Sequence, residues 1–306
     1  MSRFDIICLG EAMGEIAFAP DGSTQIGVGG DTLNSAVYLA RSGINVAFAS
    51  AIGDDPFGTR IRATLQENAV SDVLLLNDPV DTTGLYSITN DATGERFFHY
   101  WRNAAAARKL FAEPSEDWLE GMLDTRMIYL SGISLYTFND HLPRLFELLE
   151  RARAKGVEVA FDGNYRPRLW AGKEDLAREA FERVMALSCV VLPTFEDEVM
   201  LWNDATPEAT LARIAELGVE TIVLKRGPEG CTIRGTEAET LVPIPTPIKV
   251  VDTTAAGDSF NAGFLAARLG GEDDVAAALA GHRLAGRVIS HRGALIPKEA
   301  MLRDRG

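Results

Sequence analysis

The sequence has few residues suited to disulfide, redox or metal chemistry. Its three cysteines, Cys8, Cys189 and Cys231, form no Cys-x-x-Cys pair, and each lies in or beside an apolar run. The four histidines are scattered without the spacing of metal ligands. We therefore expect reduced thiols in the core, and neither a redox motif nor a zinc site.

Two further absences restrict where the chain works and what it binds. It has no run of about 18 apolar residues and does not open with a signal-peptide pattern, so we expect a soluble, cytoplasmic protein. Long basic runs are also missing, and the formal net charge is −14. Such a charge repels nucleic acid and anionic membranes, so neither is expected as a partner, and an anionic substrate would need local arginines.

The common nucleotide-binding fingerprints are absent as well. A P-loop needs Ser or Thr after its Gly-Lys pair, but Gly172-Lys173 is followed by Glu174. The glycine-rich stretch at 27–30 would need another glycine at position 32 to match a dinucleotide fingerprint, and Thr32 stands there. A P-loop kinase is excluded, and a nicotinamide-dependent dehydrogenase is the least favoured enzyme.

What the sequence does contain is an alternation of short apolar runs with helix-like segments. With 306 residues, 46% of them hydrophobic, the chain can bury a large core as one α/β domain with a protruding segment or as two domains. Runs at 127–130 and 157–161 predict buried strands, and 115–123 and 139–155 predict helices. This alternation predicts a doubly wound, mostly parallel sheet that binds ligands beyond the carboxyl ends of its strands.

Residues 83–102 show a different pattern. Apolar and polar side chains alternate on both sides of a turn, which predicts a β-hairpin. Together with strand-like residues near 12–28, this hairpin would form a small sheet that closes over a substrate. A surface hairpin of the main sheet is the alternative.

One stretch combines anion binding with acid–base chemistry. In residues 252–258, Ala255, Ala256 and Gly257 fall at a predicted helix start, where unpaired N–H groups and the helix dipole attract anions and small side chains leave room for a phosphate. Asp258, in the first turn, offers a carboxylate that can accept a proton from an alcohol, as phosphoryl transfer requires. The alternative is an aspartate that only stabilises its helix.

The same stretch, Asp252-Thr253-Thr254-Ala255-Ala256-Gly257-Asp258, resembles the C-terminal signature of the PfkB (ribokinase-like) sugar kinases, Asp-Thr-x-Gly-Ala-Gly-Asp, with Ala255 in place of a glycine. Gly29-Gly30 and Asn34 match the N-terminal signature. The resemblance implies one ribokinase-like α/β kinase domain over residues 1–306, with a small β-sheet lid from segments at about 12–28 and 83–103. It implies ATP and Mg²⁺ as cofactors, leaves a monovalent cation open, and makes Asp258 the general base with the 255–258 backbone as anion hole.

Two motifs resemble one branch of this family. Tyr100-Trp101-Arg102 and Asn164-Tyr165-Arg166 are similar to motifs of the 2-keto-3-deoxygluconate kinases. The resemblance implies that a sugar acid is phosphorylated to its 6-phosphate, with two arginines near its carboxylate, because a planar guanidinium matches a carboxylate well. The substrate-binding residues that it implies are Gly29, Gly30, Asn34, Tyr86, Tyr100, Arg102 and Arg166.

The resemblance also implies a nucleotide site, formed by Asn164, Thr194, Lys225, Gly227, Gly230 and His282. Thr194 and Asp197 stand where the family usually has Asn-x-x-Glu, which makes Asp197 the candidate on the metal side, with Glu198 as the alternative. From the residues alone, three alternatives stay open: an acidic helix start, a glycine-bounded turn at 227–230, and a helix histidine whose hydrogen bonds are satisfied.

Other functions stay open at this stage. A PfkB enzyme of the fructokinase or ribokinase type would use a neutral sugar, and a non-catalytic sensor of sugar acid or nucleotide would keep the fold. The presence of Asp258 argues against the sensor. Because lids of this family commonly pair between subunits, the resemblance implies a homo-oligomer, with a sugar acid and ATP as small-molecule partners.

Overall fold

A computed structural model of the protein describes residues 3–19, 21–90, 96–235, 239–246 and 248–301. The strands in these residues are β1 Phe4–Leu9, β2 Met13–Phe18, β3 Thr24–Gly29, β4 Val46–Gly53, β5 Leu75–Asp78, β6 Gly84–Asn90, β7 Arg96–Trp101, β8 Thr125–Ser131, β9 Glu158–Asp162, β10 Val190–Val191, β11 Thr221–Lys225, β12 Cys231–Arg234 and β13 Glu239–Val242. The helices are α1 Asp31–Arg41, α2 Pro56–Glu67, α3 Glu116–Met122, α4 Gly132–Thr137, α5 Leu142–Ala154, α6 Pro167–Trp170, α7 Glu174–Leu187, α8 Phe195–Trp202, α9 Pro207–Glu216, α10 Ala256–Leu269, α11 Asp274–Ile289 and α12 Lys298–Met301.

The large sheet has nine strands in the order β13-β12-β11-β10-β9-β8-β1-β4-β5. Neighbours from β11 to β5 run parallel, whereas β12 and β13 pair antiparallel at one edge. The predicted doubly wound, mostly parallel sheet is confirmed. The strand order reverses beside β1, which is where ligands bind in sheets of this kind.

Apolar side chains cover both faces of the large sheet, because successive residues of a strand point to opposite sides. On β1, Ile7 and Leu9 join one core cluster, and Ile6 and Cys8 join the other. Helices α5, α7 and α9 pack on the first face, and α1, α10 and α11 pack on the second. Within the described ranges, no helix is both long enough and apolar enough to span a bilayer.

The small sheet has four strands in the order β3-β2-β6-β7. Strand β2 pairs antiparallel with β3 and parallel with β6, and β6 pairs antiparallel with β7, with Tyr86 opposite Tyr100. The residues of this sheet come from the two segments in which sequence patterns favoured strands. The alternative, a hairpin belonging to the main sheet, is therefore wrong.

Polar residues gather where the parallel strands end. Glu11 follows the end of β1, Asp162 ends β9, and Lys225 ends β11. Helices α1 and α10 start close to each other, since Asn34 of α1 reaches Asp258 of α10. The strand ends and the two helix starts together form one wall of a cavity.

Candidate active site

A cavity of about 1410 Å³ lies between the carboxyl ends of the large sheet and the small sheet. Most of the residues singled out from the sequence line it, namely Gly30, Asn34, Tyr86, Tyr100, Arg102, Asn164, Arg166, Thr194, Asp197, Lys225, Ala255, Ala256, Gly257 and Asp258. The fold therefore brings the N-terminal motif, the hairpin and the C-terminal motif to one site.

Asp258 is half-buried at the start of α10. Its Oδ2 accepts a hydrogen bond from Asn34 Nδ2 at 2.8 Å. The Ser35 hydroxyl lies 3.0 Å from the Asp31 carbonyl and 3.2 Å from the Asp258 carbonyl, so this one side chain ties the first turns of α1 and α10 together. Burial, reinforced by the Asp31 carboxylate, raises the pKa of Asp258 to about 8, while the Asn34 hydrogen bond opposes the rise. Such a pKa suits proton transfer near neutral pH.

The chain enters α10 through a left-handed residue. Ala255 has φ 59° and ψ 21°, a conformation that costs a non-glycine residue about 1–2 kcal/mol. The N–H of Ala256 donates to the Thr253 carbonyl at 3.2 Å, so it is occupied, contrary to its predicted place in an open anion hole. The N–H groups of Gly257 and Asp258 have no backbone acceptor among the described residues, and they remain open to an anion.

Asp31 and Asp162 also line the cavity, and neither was predicted to have a role. Asp31 accepts a hydrogen bond from Asn164 Nδ2 at 2.7 Å. Asp162 pairs with Lys225 Nζ at 2.9 Å, and a Cβ added at Gly257 would lie 3.7 Å from that ammonium. The structure thus places Asn164, predicted for the nucleotide, against Asp31, and it places Lys225 beside the start of α10.

Two glycines of the N-terminal motif allow close contacts where β3 of the small sheet leads into α1. The Tyr86 hydroxyl donates to Glu15, and a Cβ at Gly29 would clash with that hydroxyl. Gly29 therefore makes room for Tyr86, which in turn lines the cavity. Gly30 has φ 143°, and a Cβ there would clash with the Glu11 carbonyl, so this position requires glycine.

Arg102 is buried at the junction of the two sheets. Its guanidinium pairs with the Glu11 carboxylate, lies 2.7 Å from the Thr137 hydroxyl, and stacks 5.4 Å from the centre of the Tyr136 ring. Burial raises the pKa of Glu11, and the positive charge of Arg102 opposes this. The sequence pattern predicts an arginine free for a substrate carboxylate, whereas the structure shows an arginine with an acidic protein partner.

Arg166 is the more accessible of the two predicted arginines. Its side chain is 52% exposed, and it lies 3.8 Å from Asp197. Burial raises the pKa of Asp197 to about 6, with Arg166 opposing the rise. No group of three or more His, Cys, Asp or Glu side chains in the described ranges could hold a metal by itself. Mg²⁺ keeps several of its waters and is bound by one or two protein carboxylates together with substrate phosphates. Asp197 is suited to be one of these carboxylates.

Four predicted residues are not among the described residues that line this cavity: Gly29, Gly227, Gly230 and His282. His282 is buried, with Nε2 3.1 Å from the Val242 carbonyl and its ring centre 5.0 Å from that of Phe260. Burial lowers its pKa. Gly230 has φ 101°, and a Cβ there would clash with the Val242 carbonyl. The alternatives left open from the residues, a hydrogen-bonded helix histidine and a glycine-bounded turn, agree with these positions.

Sequence reasoning missed the acidic residues Glu11, Asp31 and Asp162. Glu11 and Asp162 stand at the carboxyl ends of parallel strands, and Asp31 opens α1. A search for charged residues at strand ends and helix starts would have found all three, because ligands of such sheets bind there.

Comparison with known proteins extends this picture. The family described as "pfkB family carbohydrate kinase" matches residues 3–301. The 2-dehydro-3-deoxygluconokinase of Dickeya dadantii is 42% identical over 311 residues, which cover 98% of this chain and 99% of that protein. A solved structure of a PfkB protein from Polaromonas sp. JS666 resembles the fold with a TM-score of 0.86 and 28% identity, covering 98% of this chain and 99% of that one. The structure of a fructokinase with bound ATP from Xylella fastidiosa resembles it with a TM-score of 0.84 and 25% identity, covering 97% of this chain and 94% of that one. The chain belongs to the pfkB family of carbohydrate kinases.

Proposed function

We propose that this chain transfers the γ-phosphoryl group of ATP to the terminal hydroxyl of 2-keto-3-deoxygluconate, the 2-dehydro-3-deoxygluconate of its Dickeya relative, and forms the 6-phosphate. The observation that carries the proposal is Asp258. It is a half-buried carboxylate with a pKa raised to about 8, at a helix start, in a cavity that also contains Arg166 and Tyr100.

In this proposal Asp258 accepts the proton of the attacking hydroxyl. Asn34 fixes one carboxylate oxygen, which leaves the other to meet the alcohol. The positive charge of Lys225 favours the ionised form that a base needs. The N–H groups of Gly257 and Asp258, at the positive end of α10, stabilise charge that develops on the transferred phosphoryl group. The N–H of Ala256 would join them only by leaving the Thr253 carbonyl.

Arg166, which lies beside Asp197, supplies positive charge for the carboxylate of the sugar acid. Its fork of N–H donors matches a carboxylate in geometry, and its ion pair with Asp197 is long at 3.8 Å. Tyr100 of the small sheet is half-exposed and lines the same cavity, so its hydroxyl can meet the hydroxyls of the sugar chain. Arg102 acts from a more buried position, held by Glu11.

ATP would lie along the start of α10, towards Lys225 and Thr194, with the half-exposed Val250 and Val251 offering apolar surface to the base. The Xylella relative, whose structure holds ATP, supports this nucleotide. Asp197 would hold Mg²⁺ together with the phosphates, and the ion supplies neutralisation of phosphate charge. A requirement for a monovalent cation stays open in the proposal.

We also propose a homo-oligomer that forms through the outer face of the small sheet. Phe97 and Trp101 share one face of β7, and Phe18 and Ile26 extend that face on β2 and β3. All four side chains are well exposed, and apolar patches of this kind mark protein interfaces. Light scattering of wild type should give a mass above that of one chain, and Trp101→Glu should lower it. A monomeric wild type would contradict the proposal.

The catalytic proposal is tested by ADP release with Mg-ATP and 2-keto-3-deoxygluconate, fructose or ribose. We expect turnover with the keto acid alone, and a loss of about 10²–10⁴-fold in Asp258→Asn because the base is removed. Turnover with the neutral sugars would keep the kinase activity but overturn the role of Arg166. An absence of ADP with every sugar acid would favour a sensor.

A further inference from the structure

The two sheets are joined at the substrate end of the cavity by a triangle of Glu11, Arg102 and Thr137. Arg102 follows β7 of the small sheet, whereas Glu11 follows β1 of the large sheet and Thr137 ends α4. The Arg102 guanidinium pairs with the Glu11 carboxylate and lies 2.7 Å from the Thr137 hydroxyl. The Glu11 carboxylate lies 3.3 Å from the same hydroxyl, which closes the triangle.

Stability alone does not explain this triangle. The side chains of Arg102 and Glu11 are only 4% and 0% exposed. Glu11 Oε1 and Arg102 Nε are buried with no hydrogen-bond partner in the part of the chain that the structure describes. Desolvating an ion pair costs about as much free energy as the pairing returns, and each unpaired polar atom adds to that cost. An apolar pair would serve stability as well, so the position of these two residues in the cavity wall matters more.

Glu11 determines the direction of the Arg102 guanidinium. Tyr136 supports one face of the group, with Arg108 5.7 Å from the same ring. Stacking on a ring leaves a guanidinium free to turn in its own plane, whereas a carboxylate at Nη2 fixes that rotation. Room for the Glu11 carboxylate comes from Gly84, where a Cβ would clash with Oε1. The surroundings are therefore shaped to hold this acid.

We propose that Glu11 is a positioning residue that holds the Arg102 guanidinium at the substrate end of the cavity, so that the carboxylate of the sugar acid meets a fixed donor. The inference rests on the proposed function, since it assumes a sugar-acid substrate. The Glu11–Arg102 pair has no net charge, so Arg166 provides the neutralising charge and Arg102 provides direction. Glu11 contacts Arg102 and not the reacting atoms, so its loss affects sugar-acid binding and leaves phosphoryl transfer intact.

The test is a double-mutant cycle of Glu11→Gln and Arg102→Ala, with Glu11→Ala beside it, followed by steady-state kinetics. Glu11→Ala should raise KM for the sugar acid about tenfold, as Arg102→Ala does, because a hydrogen bond to a charged group is lost. Glu11→Gln keeps a hydrogen-bond acceptor and should raise KM for the sugar acid less than Glu11→Ala does. We expect kcat and KM for ATP to stay within about twofold of wild type. In the Arg102→Ala background, Glu11→Gln should change KM less than about twofold, because Glu11 acts through Arg102.

The matched control is Asp140→Asn. Asp140 pairs at 2.9 Å with Arg108, the guanidinium that also contacts the Tyr136 ring, but its own side chain is mostly exposed. This variant should keep the wild-type KM. Additive effects of Glu11→Gln and Arg102→Ala, a fall in kcat at constant KM, or a wild-type KM in Glu11→Ala would each overturn the inference.

Failure of the proposed function gives a different result. Wild type would then release no ADP with the sugar acid, and the rise in Tm on adding the sugar acid alone would replace the kinetics. A rise in wild type that is reduced in Glu11→Gln and in Glu11→Ala would support the positioning role even without catalysis. Equal rises in all three proteins, or none in any, would overturn it.

Discussion

Asn34 donates a hydrogen bond to Asp258 across 224 positions of the chain, with 2.8 Å between Nδ2 and Oδ2. The bond orients the carboxylate at the start of α10 and favours its ionised form against the effect of burial. Helix α1 therefore influences both the geometry and the protonation of the proposed base.

Replacing the base should separate catalysis from helix stabilisation. Asp258→Asn should lower kcat by about 10²–10⁴-fold, because the proton acceptor is lost while size is kept. Asp274→Asn is the matched control, because Asp274 also lies in the first turn of a helix but pairs with Arg268 outside the cavity. Its kcat should be that of wild type. Equal losses in the two variants would mean that Asp258 only stabilises its helix.

The pH dependence should report the raised pKa of Asp258. A base must be deprotonated, so kcat/KM should fall as the pH is lowered through about 8, and this fall is the acidic limb of the pH profile. Asn34→Ala should move this limb to higher pH, because the hydrogen bond from Asn34 lowers the pKa. The position of the limb is the readout, since Asn34 also lines the substrate cavity. A limb near pH 4 in wild type would contradict the assignment.

The left-handed alanine before α10 should be replaceable by glycine. Ala255 has φ 59°, and Ala69, at the end of α2, has φ 57°. Glycine would relieve about 1–2 kcal/mol of strain at either site and lose about 0.5–1 kcal/mol through chain entropy. Ala255→Gly and Ala69→Gly should therefore raise Tm by similar small amounts, with kcat retained. A gain at 69 and a loss at 255 would show that the Ala255 methyl group contributes packing.

Lys225 should have separable roles in stability and in nucleotide binding. Lys225→Met leaves the buried Asp162 carboxylate without its cation, which should cost about 3–5 kcal/mol of unfolding free energy. Lys225→Met with Asp162→Asn should recover most of that stability. If Lys225 also meets the phosphates, as we propose, KM for ATP should stay raised in the double variant. If the double variant recovered both the unfolding free energy and the wild-type KM for ATP, the role of Lys225 would be only to neutralise Asp162.

Features that are local in sequence could be predicted before the structure. The alternation of strands and helices indicated the large sheet, and the period of two in 83–102 indicated the small one. Small residues followed by Asp258 indicated a helix start with an acid, because each part of that motif lies within a few residues of the next. Such patterns do not depend on how distant segments pack.

Pairings between distant residues could not be predicted in this way. The motif at Arg102 shows a donor but not its acidic partner, which lies 91 positions earlier at Glu11. The family resemblance assigned His282 to the nucleotide site, whereas the packing of α11 against α10 and β13 directs its ring to Phe260 and Val242. A contact made only by tertiary packing leaves no local signal.

The contact of the Ser35 hydroxyl with both α1 and α10 can form only late in synthesis, after α10 has been made. Helix α1 leaves the ribosome long before α10, and domains acquire long-range contacts only once both partners have been made. Strands β1 to β7 are therefore synthesised before the residue that we propose as the base. A chain that has not yet reached α10 lacks the proposed proton acceptor, so we expect it to transfer no phosphoryl group until α10 packs on α1.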